Sequence, residues 1–309
     1  MKQLLPFLFL FAWPAVAEVG AWGQDIPAAV ATASLLPDTV LDEEPCDWRA
    51  ILTPIVAPLV RDCASAREAV LKISTQLGKA TGVYYSTQRR KHNMNVLEAL
   101  AEKKVSCTGQ SILLVCALRA VGIPARAAGI LTWNHLQGNH TWAEAWFDGQ
   151  WHMIELNESD FNTPWVMENI GMLDARIPLQ RIKAATPQGV DTWYPADLPF
   201  PAMKAEDVTE RYLQLAKEWY ARHGHPAEHQ RLLVDLQPRS NSPLQVMIVN
   251  ESGTVLSSAQ LPLSTDDVRY MTRLSLPRQG KYHLQISGSD SRIPLECTPA
   301  PVQVLRLSY

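Results

Sequence analysis

The chain has 309 residues, 47% hydrophobic and 19% charged, with a formal net charge of −3. That is enough apolar material for a sizeable core and suggests about two domains. With no excess of basic charge there is no electrostatic ground for nucleic-acid binding.

The chain opens MKQLLPFLFLFAWPAVAEVG: one lysine, an apolar stretch, then Ala15-Val16-Ala17. This predicts a signal peptide over 1–17, and so an exported, periplasmic or extracellular protein. About 14 apolar residues fall short of the ~20 that span a bilayer, and no later segment predicts a membrane span. Residues 18–44 read as leader or loop. Export makes disulfides available. Of the five cysteines, Cys46, Cys63, Cys107, Cys116 and Cys297, the odd count leaves at least one thiol free within the chain. Cys46 and Cys63 flank the helical pattern DWRAILTPIVAPLVRD and are read as a disulfide pair. A Cys107–Cys297 bridge beside it is the arrangement that would remove any nucleophile.

Helix is predicted over 47–78 and 94–104, followed by SCTGQSILLVCALRAVGIPAR. The run Ile112–Leu118 is apolar on every side, which places this helix inside the fold. Gly122 is set to end it in a left-handed conformation, and Pro124 forbids continuation. Arg126 to Thr132 reads as a strand. HTWAEAWFDGQWHMIEL then reads as two strands joined by Asp148-Gly149, a strong hairpin signal. A helix over about 204–223 is predicted within a connecting segment 201–228. From 229 to 309 short alternating runs divided by Gly, Pro, Asn and Ser predict a β-sandwich, immunoglobulin-like in its Gly280-Lys281-Tyr282 step.

Cys107 stands at the amino end of the buried helix, where unpaired N–H groups and the helix dipole favour the thiolate. Cys116, nine residues on, lies about 180° around the helix and reads as a core residue. A thiol nucleophile needs a base and a group that orients it. A two-residue turn at Asp148-Gly149 pairs Phe147 with Gln150 and Trp146 with Trp151. Carried outward, that register puts His140 opposite Asn157 and diagonal to Glu155, on one face of the hairpin.

The cysteine-opened helix ending CALRAVGIPARAAGI, the NHTWAEAWFDGQW block with its His-x-Trp-x-Glu run, and the WHMIE strand resemble the transglutaminase-like superfamily over about residues 85–160. The resemblance implies an α+β fold: a papain-like core, with the cysteine helix packed on an antiparallel sheet, in a catalytic domain of about 45–200. It implies Cys107 as nucleophile, His140 as base and Glu155 as third member, with no cofactor. This sequence has Glu155-Leu156 where the family has Asp, often followed by Pro. Asn157 is the alternative orienting residue, and Asp160 stands behind it. The Cys107 N–H is read as one oxyanion donor, with Gln88, Asn93 and Asn95 as candidates for the second.

The reading is an exported bacterial cysteine enzyme acting on a protein or peptide substrate through an acyl-enzyme, with hydrolysis ahead of cross-linking. The other reading is an inactive scaffold serving as a binding or cell-surface protein. The C-terminal domain then recognises a carbohydrate or protein partner. The histidines show no metal-binding spacing; His223, His225 and His229 cluster only around a Gly-Pro helix stop.

Overall fold

Helices cover both faces of a six-stranded sheet, and the central one is buried because it has no polar side to offer water. The computed structural model describes residues 26–133, 138–223, 229–237, 244–261, 272–289, 291–298 and 302–308. The predicted signal peptide, the 134–137 segment and the Gly224-Pro226 helix stop lie outside them. The first part of the chain runs α1 (Ala28–Ser34), α2 (Trp48–Val60), α3 (Ala66–Thr81), β1 (Tyr84–Tyr85), α4 (Val96–Glu102), β2 (Lys104–Val105) and α5 (Cys107–Ala120). There follow β3 (Ala125–Ile130), β4 (His140–Phe147), β5 (Gln150–Ile154), α6 (Pro164–Ile170), β6 (Lys183–Ala185), β7 (Asp191–Thr192), β8 (Lys204–Asp207) and α7 (Thr209–His223). The sheet order is β5-β4-β3-β6-β8-β7, with every pairing antiparallel. Strands β1 and β2 form a separate parallel pair.

α5 is buried from Thr108 to Ala120. It packs against α2, α3, β3 and β4 in a core that includes Leu52, Val56, Ile73 and Leu77. Burying each of its large apolar side chains contributes about 1.5–3 kcal/mol. Arg119 is buried on the same helix and donates to the carbonyls of Ala125, Pro37 and Thr39, which ties the 37–39 segment to the helix end. Gly122 ends the helix at φ 82°, with the Ile123 N–H bonded to the Leu118 carbonyl. Across the sheet, Trp142, Trp165, Ile182, Tyr212 and Trp219 form a second core under α6 and α7.

Several expectations are corrected. The 18–44 leader contains helix α1. The single helix over 47–78 is two, because Ser65 caps a new start by accepting the Glu68 N–H. The connecting helix begins only at Thr209; residues 204–207 are a strand paired to β6 and β7. Cys46 and Cys63 are not joined in a disulfide, and neither are Cys107 and Cys297. No helix among the described residues is long and apolar enough to cross a membrane.

The C-terminal part forms β9 (His229–Gln237), β10 (Leu244–Asn250), β11 (Val255–Leu261), β12 (Thr272–Pro277), β13 (Tyr282–Ile286), β14 (Arg292–Leu295) and β15 (Val302–Ser308). They make a four-stranded sheet, β11-β10-β13-β14, and a three-stranded one, β12-β9-β15. Residues such as Leu232, Val246, Leu274 and Leu284 from the two sheets share one core. The β9–β15 pairing is parallel.

The turn after β5 is clamped to α3. The buried Ser74 hydroxyl bonds the carbonyls of Glu155 (2.6 Å) and Glu158 (2.7 Å), and the Ser74 carbonyl accepts the Asn157 N–H at 2.9 Å. Ser74→Ala is expected to cost about 1–3 kcal/mol, read as a lower urea midpoint at unchanged slope.

Candidate active site

Three elements bring the predicted residues together. Ser106 caps α5 by accepting the Gly109 N–H (2.9 Å) and anchors it by donating to the His92 carbonyl (2.6 Å). This sets Cys107 in the first helical turn, where amides have no partner within the helix. The adjacent Thr108 hydroxyl bonds that of Thr141 at 3.1 Å, locking the helix start beside His140 on β4. Cys107 is half-buried and hydrogen-bonds the His140 side chain. Cys116 is sealed in the core, where burial pushes its thiol up to well above the ordinary range.

The hairpin has the expected register. Asp148 and Gly149 both take positive φ (50° and 75°), and Phe147 pairs with Gln150 and Trp146 with Trp151. The ladder stops at Ala143–Ile154, so Glu155 lies just past it. Its side chain still reaches back: Oε1 is 2.7 Å from His140 Nε2. With Nε2 committed to Glu155, Nδ1 is the nitrogen left for the sulfur. His140 and Glu155 are 4% and 2% exposed.

Asn157 is not in this group. Once strand pairing ends, the chain turns at Asn157 (φ 69°) onto α3, and its side chain lies against Gly78. The exposed Asp160 accepts the Phe161 N–H instead. The oxyanion candidates are also placed otherwise. Asn95 caps α4 and donates to the Glu44 carbonyl, Asn93 donates to Asp42, and Gln88 is exposed.

The other Glu155 oxygen, Oε2, accepts from the Thr163 hydroxyl at 2.5 Å. Thr163 occupies the N-cap position of α6 without capping it; its hydroxyl goes to the carboxylate. Trp165, two residues on, sets its ring edge-on to His140 at 4.8 Å, and Trp133 and Trp142 stand 6.5 and 5.9 Å away. Sequence reasoning missed Thr163 and Trp165. The Thr163-Pro164 pair, a helix-start signal with proline at the first position, was the clue available.

Trp142 is itself fixed. Its Nε1 donates to the Tyr212 hydroxyl (2.5 Å), which donates to the buried Glu144 (2.6 Å). Arg126 Nε bonds Glu144 at 2.7 Å, and Arg211 bonds it too. Burial alone would raise the Glu144 carboxyl, but the two guanidinium groups and the tyrosine hold it below its ordinary value.

Burial likewise disfavours charge on His140, yet Glu155 and Cys107 outweigh it and lift the imidazole from 6.5 to about 9. The carboxylate and the sulfur together therefore favour an imidazolium at neutral pH, paired with the Cys107 sulfur. Among the described residues no group of three or more His, Cys, Asp or Glu side chains is placed to hold a metal ion.

Residues 53–156 match the family model described as the transglutaminase-like superfamily. The chain thus contains a transglutaminase-like superfamily domain, and its α+β architecture is that core followed by the two C-terminal sheets. Two solved structures are similar at low identity. One is a provisionally named cysteine protease from Cytophaga hutchinsonii: 16% identity, 59% of this chain and 64% of that one covered, TM-score 0.37. The other is red sea bream transglutaminase: 12% identity, 78% and 55% covered, TM-score 0.32. The chain thus spans less than two thirds of either one's length. A comparison with curated proteins gives no match.

Two outcomes follow from the site. Glu155→Gln removes the charge that offsets burial, so the His140 titration midpoint, followed by proton NMR of the ring, is expected to fall from about 9 by about 1–3 units. The sign for stability agrees. Because the folded value exceeds the unfolded 6.5, the His140 contribution is fully present below pH 6.5 while Glu155 is ionised. It is lost as pH rises through about 9. Glu155→Asp is the second case. The arm shortened by one methylene cannot span His140 and Thr163 together, so Cys107 alkylation at neutral pH is expected to slow about tenfold or more, with Thr163→Ser near wild type and Thr163→Val slowed.

Proposed function

We propose that the protein is a cysteine enzyme that acts on peptide or amide bonds through an acyl-enzyme, with hydrolysis favoured over amine transfer. The observation that carries this reading is the relay from the half-buried Cys107 sulfur through the buried His140 to Glu155, with 2.7 Å between imidazole and carboxylate.

In this reading the Cys107 thiolate attacks the amide carbonyl carbon, and the oxygen takes up the negative charge beside the first-turn N–H groups of α5. As the tetrahedral intermediate collapses, the C–N bond breaks and the His140 imidazolium gives its proton to the leaving amine. The neutral imidazole then takes a proton from water, whose oxygen attacks the thioester carbon and frees the acid and the thiol. An amine in place of water forms a new amide. Glu155 keeps the ring oriented and stabilises its charged form, and Thr163 holds Glu155. The signal-like residues 1–17 support export. The shared core of the two C-terminal sheets supports an immunoglobulin-like recognition module for a carbohydrate or protein partner.

The test is alkylation by iodoacetamide across pH with mass mapping, together with product analysis on peptide substrates. Cys107 is expected to label well below the ordinary thiol range of about 8.5. Peptides are expected to yield carboxylic products, and Cys107→Ala to abolish them. Labelling no faster than a free thiol, with no product, would leave the inactive scaffold as the function.

A further inference from the structure

A cavity of about 670 Å³ is lined by residues next in the chain to Cys107 and His140. Thr108, Asn139, Thr141 and Ile130 line its inner side. Thr108 follows Cys107, Asn139 and Thr141 bracket His140, and Ile130 is the cross-strand partner of His140. The lining thus holds the chain or strand neighbours of both reactive residues, from three elements, α5, β3 and the β4 end.

The facing wall is apolar: Leu131, Leu179, Trp193, Tyr194, Leu198 and Phe200. Four of these come from residues 193–200, outside the 53–156 segment that matches the family. The Tyr194 and Phe200 rings lie 4.5 Å apart, and Phe200 is 53% exposed, an aromatic lip turned to water. The opposite rim is polar, with Asp42, Lys91, His92 and Asn93. Asp42 accepts from Asn93, and Lys91 pairs with Glu98 at 2.7 Å. What the facing wall offers a ligand is apolar surface, in a cavity of a size typical of ligand pockets, about 300–1,000 Å³.

We propose that this cavity is the subsite for an aromatic or large aliphatic side chain of a peptide acyl donor, close to the amide that Cys107 attacks. The proposal rests on Cys107 being the nucleophile, so its test separates the two claims. The full chain is treated with iodoacetamide, which needs only a reactive thiol. It is also treated with peptidyl acyloxymethyl ketones carrying Phe or Ala at either of the two positions preceding the ketone.

The Phe probe at one of these positions is expected to label Cys107 about tenfold or more faster than its Ala counterpart. The Leu198→Ala, Phe200→Ala double variant is expected to lose that preference while keeping the wild-type iodoacetamide rate and urea midpoint. If iodoacetamide labels Cys107 at low pH but Phe and Ala probes react alike, or the variant keeps the preference, the subsite is refuted and the nucleophile stands. If iodoacetamide labels Cys107 no faster than a free thiol, both claims fall.

Discussion

Burial of α5 on all sides is the constraint from which the site follows. A helix sealed from Thr108 to Ala120 can meet solvent only at its ends, and its carboxyl end is occupied by Arg119 and the carbonyls that Arg119 binds. The amino end is left for chemistry, and it is held there by core packing, by the Ser106 cap and by the Thr108–Thr141 hydrogen bond. A sulfur on such an element has little freedom to move. That is the pre-organisation a nucleophile needs.

The imidazole is fixed by a different means. His140 sits among Trp133, Trp142 and Trp165, where a charge without a partner would be costly. Glu155 supplies the partner, and its longer arm compensates for lying beyond the end of the hairpin ladder. Thr163 occupies the second carboxylate oxygen, so the glutamate has both its acceptors engaged and one geometry to adopt. Behind Trp142 the buried Glu144, held by Arg126, Arg211 and Tyr212, fixes the opposite wall. Since Tyr212 and Arg211 belong to α7, the helix beyond the family-matched segment contributes to the rigidity of the site.

Much of this was legible in local pattern. The all-apolar run with Gly122 and Pro124 marked the central helix, and Asp148-Gly149 set the hairpin register that the ladder follows from Phe147 to Ala143. Patterning failed where a distant partner decided the outcome. Residues 204–207 look like the start of a helix, yet β6 recruits them as a strand. Asn157 would face His140 if the strand continued, but α3 captures the chain at Ser74 and turns it away. Cys46 and Cys63 flank one helix in sequence and still remain separate thiols, because flanking positions say nothing about sulfur-to-sulfur geometry.

By itself, then, the sequence determined periodicity and chemical type: a buried helix opened by a thiol, a hairpin of known register, and an imidazole with carboxylates near it along the strands. These depend on interactions a few residues apart, which composition and spacing encode directly. Tertiary structure alone decided that Glu155 rather than Asn157 meets the ring, that Thr163 completes its coordination, and that residues 193–200 wall the cavity lined by Thr108 and Thr141. Those choices depend on which elements pack together across the chain, and burial of the shared core, rather than any local preference, selects among them.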